Sequence, residues 1–156
     1  MTLDTASDSR TIALPDARST LSFGRRLGER IRPGDVIGLS GNLGAGKTTL
    51  ARGAIEAWTG YPDEVPSPTY TLVQTYNGEQ GELWHVDLYR LKQPEEALEL
   101  GLEDAFVSAA CLIEWPERLE GHLPADRLDI HLAQHDGGRC AALRAHGSWR
   151  SRLATI

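Results

Sequence analysis

The chain has 156 residues, 40% of them hydrophobic, and 16 basic against 22 acidic side chains give it a formal charge of −6. That size and apolar content suit one globular domain with its own core and exclude a disordered chain. No run approaches the roughly 18–20 apolar residues needed to cross a bilayer, and the acidic balance argues against a protein that grips nucleic-acid phosphates unaided.

Residues 1–10 are polar, include Asp4 and Asp8, and lack the basic-then-apolar pattern of a secretory signal. The only cysteines, Cys111 and Cys140, do not suggest a disulfide-stapled secreted fold. Five histidines lie scattered, with no zinc-ligand spacing among them. The expectation is a cytoplasmic protein with no membrane contact, a single domain over 1–156 with mobile ends at 1–10 and 148–156.

Thr11 to Leu14 reads as a short strand stopped by Pro15. Asp16 suits the N-cap of a following helix in which Leu21, Gly24, Leu27 and Ile31 recur at helical spacing. After the break at Pro33-Gly34-Asp35, Val36 to Ser40 is the apolar run of a strand buried on both faces. Leu50, Ala51, Ala54, Ile55 and Trp58 then form one apolar helical face, ended by Gly60 and Pro62. Ser67-Pro68-Thr69 is a stiff connector carrying two hydroxyls, either a plain linker or a sensor of the terminal phosphate. Tyr70 to Tyr76 and Glu82 to Leu88 alternate as strands around Asn77-Gly78. Pro94 opens an acidic helix, Leu102 to Phe106 carries a further turn, and Ala110 to Ile113 is a buried strand leading to Glu114 and Trp115. Leu128 to Leu132 and Cys140 to Leu143 flank the hairpin turn Asp136-Gly137-Gly138. Strands alternating with helices predict an α/β, three-layer P-loop NTPase sheet. It is parallel around the P-loop strand, with antiparallel strands at one side.

Between the strand ending at Ser40 and the next helix stands Gly41-Asn42-Leu43-Gly44-Ala45-Gly46-Lys47-Thr48. Glycines let consecutive backbone N–H groups curl around phosphate oxygens, and the helix adds its positive N-terminus. Asn42, Leu43, Gly44, Ala45, Gly46, Lys47, Thr48 and Thr49 are therefore expected to bind ATP, with Lys47 on the outer phosphates and the Thr48 hydroxyl on Mg2+. Lys47 is one of only two lysines among the 16 basic residues, so a compact ammonium sits where a planar guanidinium would fit poorly. A P-loop also needs acids to order the metal and its waters. Asp87 and Glu114 each end a strand, where the crevice of an α/β sheet lies, although either could simply cap a turn. Trp115 reads equally as a core edge or as a neighbour of the nucleotide.

Four segments together carry a more particular signal: residues 41–53, Ser-Pro-Thr-Tyr-Thr-Leu-Val (67–73), His-Val-Asp-Leu-Tyr-Arg-Leu (85–91) and Leu-Ile-Glu-Trp-Pro-Glu (112–117). In that order they resemble the bacterial TsaE family, small ATPases that support threonylcarbamoyladenosine formation in tRNA, over Leu14 to about Leu143. The resemblance implies ATP hydrolysis within an assembly with TsaB and TsaD, tRNA being reached only through that complex. It implies Thr48 and Glu114 as magnesium contacts and Asp87 as the catalytic acid, itself a further candidate for the metal. Lys47 would act on the phosphates, Trp115 would lie beside the site, and Ala17 and Arg139 would be outlying nucleotide contacts. No arginine finger is evident; Arg90 and Arg118 are candidates by proximity alone. The alternatives are a small-molecule kinase, a nucleotide-dependent binding module, and a GTP switch. Against the first, the acidic segment from Pro94 to Asp104 lacks the arginine of a lid. Against the last, there is no Asn-Lys-x-Asp motif.

Overall fold

The structure, a computed structural model, describes residues 8–42, 44, 46–60, 72–119 and 121–156. Seven strands form one sheet in the order β1-β7-β6-β2-β5-β4-β3. These are β1 (Ser9–Leu14), β2 (Val36–Ser40), β3 (Val73–Gly78), β4 (Gly81–Asp87), β5 (Ala110–Glu114), β6 (Arg127–His135) and β7 (Gly138–His146). The central strands β6, β2, β5 and β4 run parallel. The expected hairpin supplies the antiparallel β6–β7 pair, with β1 antiparallel on β7, while β3 pairs antiparallel with β4 at the other edge. Among the described residues no helix is long and apolar enough to cross a membrane.

Two helices cover one face. Helix α1 (Ala17–Arg30) starts at the expected N-cap: the Asp16 carboxylate accepts the Ser19 N–H at 2.8 Å and the Ser19 hydroxyl accepts the Asp16 N–H at 3.1 Å. Helix α2 (Lys47–Thr59) ends on left-handed Gly60, whose N–H reaches the Glu56 carbonyl at 2.9 Å. The two helices meet through glycines. A Cβ on Gly24 would stand 2.1 Å from the Leu50 carbonyl oxygen, and one on Gly53 would stand 2.3 Å from that of Leu21. Phe23, Leu27, Leu50 and Ile55 fill this layer against Ile37, Leu39, Leu112, Leu128 and Ile130. On the opposite face a second core joins α3 (Pro94–Leu98) and α4 (Leu102–Ser108), through Ala97, Leu102 and Ala105, to Val36, Val86, Cys111 and Ile113. The result is the expected three-layer α/β arrangement. Cys111 lies within that second core, where burial pushes its thiol up to about 12, and both cysteines are free.

Both ends include residues in regular elements. Ser9 and Arg10 are strand residues paired with Arg144 and Leu143. Residues 148–156, expected to be loose, fold as α5 (Trp149–Arg152) and a 3-10 turn, with Trp149 and Leu153 buried in the first core. The physical reason is that the three apolar side chains Trp149, Leu153 and Ile156 all bury in the first core.

Candidate functional site

The crevice opens where β2, β4 and β5 end together. Parallel pairing of β4 with β5 sets Asp87 directly beside Glu114, and pairing of β2 with β5 sets Leu39 opposite Glu114. The chain leaving β2 must turn at once into α2, and Gly41, Gly44 and Gly46 take φ values of 134°, 80° and 103° to do so. Side-chain-bearing residues rarely adopt that region, so this loop can curl only because its sequence is glycine-rich. Leu43 and Ala45, expected within the cradle, lie outside the described residues, as do Ser67, Pro68 and Thr69.

Gly44, Gly46, Lys47, Thr48, Thr49, Asp87, Glu114, Trp115 and Arg139 line a single cleft of about 290 Å3, together with Tyr89. Arg139 therefore reaches it, lying so close over Gly46 that a Cβ there would meet its Cδ at 3.2 Å. Arg139 also lines a neighbouring cleft of about 510 Å3 with Asp16, Ala17 and the β6–β7 turn. The outlying pair Ala17 and Arg139 is thus joined to the loop through the arginine, while Arg90 and Arg118 line neither cleft.

Lys47 is almost wholly buried, with its ammonium donating to the carbonyls of Gly41 at 2.6 Å and Asn42 at 3.0 Å. Burial holds its pKa below the usual lysine value, opposed by the charges of Glu114, Asp87 and Glu117. The Trp115 ring lies 4.4 Å from that ammonium and 5.0 Å from the Tyr89 ring. Trp115 itself has φ 62°, an outlier for a bulky residue. Its N–H bond to the Leu39 carbonyl, 3.1 Å, and its two ring contacts hold it there.

The acids differ in surroundings. The Thr48 hydroxyl donates to both Glu114 oxygens at 3.2 and 3.3 Å, and His85 Nε2 lies 2.7 Å from Glu114 Oε2. Asp87 accepts the Tyr89 N–H at 3.0 Å. Burial pushes the Asp87 carboxyl above the ordinary carboxylate range; that Tyr89 bond opposes the shift and the nearby Glu114 charge adds to it. Among the described residues no three His, Cys, Asp or Glu side chains form a metal cage. Mg2+ takes hard oxygen ligands from one or two carboxylates and completes its shell with substrate phosphates and water. A hydroxyl and two carboxylates converging at a P-loop are such a donor set.

Sequence reasoning missed His85 and Tyr89. The signal was available: β4 has a period of two, so His85 and Asp87 share one face, and the Asp87 turn carries Tyr89 back toward Trp115.

The family model described as "Threonylcarbamoyl adenosine biosynthesis protein TsaE" matches residues 14–141. The tRNA threonylcarbamoyladenosine biosynthesis protein TsaE of Haemophilus influenzae is 40% identical over 138 residues, covering 85% of this chain and 87% of that protein. Its counterpart from a Nostoc species is 39% identical over 145 residues, with 88% of each chain covered. The crystal structure of Bacillus subtilis YdiB superposes with a TM-score of 0.77 at 31% identity, over 94% of this chain and 91% of that one.

Proposed function

This chain belongs to the TsaE family, and from that premise we propose that it is a magnesium-dependent ATPase supporting threonylcarbamoylation of the adenosine next to the tRNA anticodon. It acts with a TsaB–TsaD pair in the cytoplasm as a single P-loop domain. With a charge of −6 it reaches tRNA through that complex. The observation that carries the reading is the convergence of Lys47, Thr48, Asp87 and Glu114 at the mouth of the glycine loop.

The chemistry asked of these residues is positioning and charge stabilisation. The loop N–H groups and the N-terminus of α2 receive the phosphates. Lys47 exchanges the carbonyls of Gly41 and Asn42 for phosphate oxygens, so its ammonium is already held within reach before nucleotide arrives. Thr48, through its hydroxyl, and Glu114 would hold Mg2+, which would neutralise phosphate charge. Asp87, buried and with a raised pKa, orients the attacking water and accepts its proton as that water's oxygen bonds to the γ-phosphorus and the ADP oxygen leaves. Arg139, at the junction of the two clefts, borders the nucleotide beyond the phosphates, with Ala17 on the far wall.

The test is ATP hydrolysis by the purified protein, alone and with the TsaB–TsaD pair of its own organism. Slow turnover that rises with the pair is expected. ATP binding with no turnover in either setting would replace the ATPase reading with a nucleotide-dependent binding module.

A further inference from the structure

His85 is wholly buried, yet the mechanism above gives it no task. Its Nε2 lies 2.7 Å from Glu114 Oε2, and its Nδ1 has no hydrogen-bond partner among the described residues. A carboxylate only accepts hydrogen bonds, so Nε2 must carry the hydrogen in this contact. A hydrogen on Nδ1 as well would be a buried donor with nothing to receive it. The geometry therefore selects the tautomer with Nε2–H and bare Nδ1, one strong donor aimed at one carboxylate oxygen.

That donor matters because of what else holds Glu114. The only other side chain bonded to its carboxylate among the described residues is Thr48, whose longer bonds of 3.2 and 3.3 Å come from the hydroxyl that a magnesium ion would claim. Once Thr48 turns its oxygen to the metal, the histidine is what keeps the glutamate from rotating. Both His85 and Glu114 project from adjacent parallel strands inside the sheet, β4 and β5, so the anchor rests on rigid elements rather than on the loop.

We propose that His85 is the positioning residue of the magnesium site, its Nε2–H fixing one oxygen of Glu114 so that the other stays aimed at the ion beside Thr48. This rests on the magnesium reading of the site. Partners that orient a metal ligand typically change metal affinity by roughly 10–100-fold when removed. The proposal also predicts which replacements work. A glutamine amide nitrogen reaches as far as Nε2, whereas an asparagine amide nitrogen reaches only the Nδ1 position.

The experiment is ADP binding by calorimetry, with and without Mg2+, for wild type, His85→Ala, His85→Gln and His85→Asn. Expected is a Mg2+ concentration dependence displaced roughly 10–100-fold upward in the Ala and Asn variants, largely restored in the Gln variant, with metal-free ADP affinity unchanged in all. A Gln variant no better than Asn, or an Ala variant with wild-type Mg2+ dependence, overturns the proposal. Nitrogen-15 NMR of the wild-type imidazole provides a readout that needs no mutant to fold, and a hydrogen on Nδ1 rather than Nε2 overturns it equally. Wild-type ADP affinity indifferent to Mg2+ would instead bring down the magnesium reading itself, and the positioning role with it.

Discussion

Successive turns of α2 meet opposite surroundings. Lys47 and Thr48, in its first turn, face a crevice of buried charge: an ammonium held among carbonyls, two carboxylates side by side, and a tryptophan at φ 62°. Gly53 and Ala54, a turn further on, face α1 across a seam so tight that no Cβ fits at Gly24, Gly28 or Gly53 without displacing backbone. The seam is packed for stability and carries no chemistry. The crevice carries the chemistry at a cost in stability, since desolvation acts against both Lys47 and Asp87. One helix thus joins a region that should lose stability on any change to a region that should gain it.

Asp87→Asn gives the sharpest form of this contrast. Loss of a general base lowers turnover by roughly 10²–10⁴-fold, measured with the TsaB–TsaD pair, while the melting temperature of the nucleotide-free protein should rise. The sign follows from the raised pKa. Folding disfavours the ionised form, so the penalty is absent below the ordinary carboxylate value, grows as pH climbs through the raised one, and is constant above it. The stabilisation from asparagine should therefore be present at neutral pH and disappear in melts below about pH 4. An Asn variant that melts lower at neutral pH would break the contrast.

At the seam, Gly24→Ala pits a helix-propensity gain of about 1 kcal/mol against a methyl group 2.1 Å from the Leu50 carbonyl. Overpacking wins, because neither backbone can yield without opening the first core, and a net loss of about 2–3 kcal/mol is expected in urea unfolding. ATP affinity per folded molecule should stay within about twofold, since Gly24 lines neither cleft. A large affinity loss in the folded fraction would mean that seam and crevice are not separable.

Lys47→Ala reverses that outcome. Charge-assisted bonds of about 1.5–3 kcal/mol disappear, so ATP affinity should fall roughly 10–100-fold by calorimetry while the fold persists. Unchanged affinity would remove Lys47 from the phosphate cradle.

Much of this was legible in the sequence because local rules and tertiary needs agreed. The apolar run 36–40, the glycine loop and the amphipathic stretch from Leu50 to Trp58 each dictate their own element, and their order dictates a parallel sheet. Asp87 and Glu114 could be placed at strand ends, and so near one another, from topology alone. Less legible was whatever depends on register. Whether His85 reaches Glu114 turns on β4 pairing with β5 so that Asp87 opposes Glu114, and no single segment encodes that pairing. The reach of Arg139 to the loop likewise follows from β7 lying between β1 and β6, a long-range arrangement. The packing of the C-terminal residues was less legible because four amino acids of helix show too little periodicity to reveal an apolar face.

That C-terminal turn offers a third setting, neither seam nor crevice. Arg152 donates from Nη1 and Nη2 to the two Asp35 oxygens at 2.8 Å each, and again from Nη2 to the Arg30 carbonyl at 2.8 Å. Its guanidinium lies 3.8 Å from the Trp149 ring centroid. Both charged side chains are mostly shielded, at 15% and 12% exposure, so the pair exceeds an open surface bridge while remaining reachable by salt. Arg152→Ala should therefore cost about 1 kcal/mol in urea unfolding, and a double-mutant cycle with Asp35→Asn should recover about 0.5–1 kcal/mol of coupling. ATP affinity should not change. A melting profile identical to wild type, together with weakened binding to the tRNA-loaded complex, would instead make this arginine part of a contact surface.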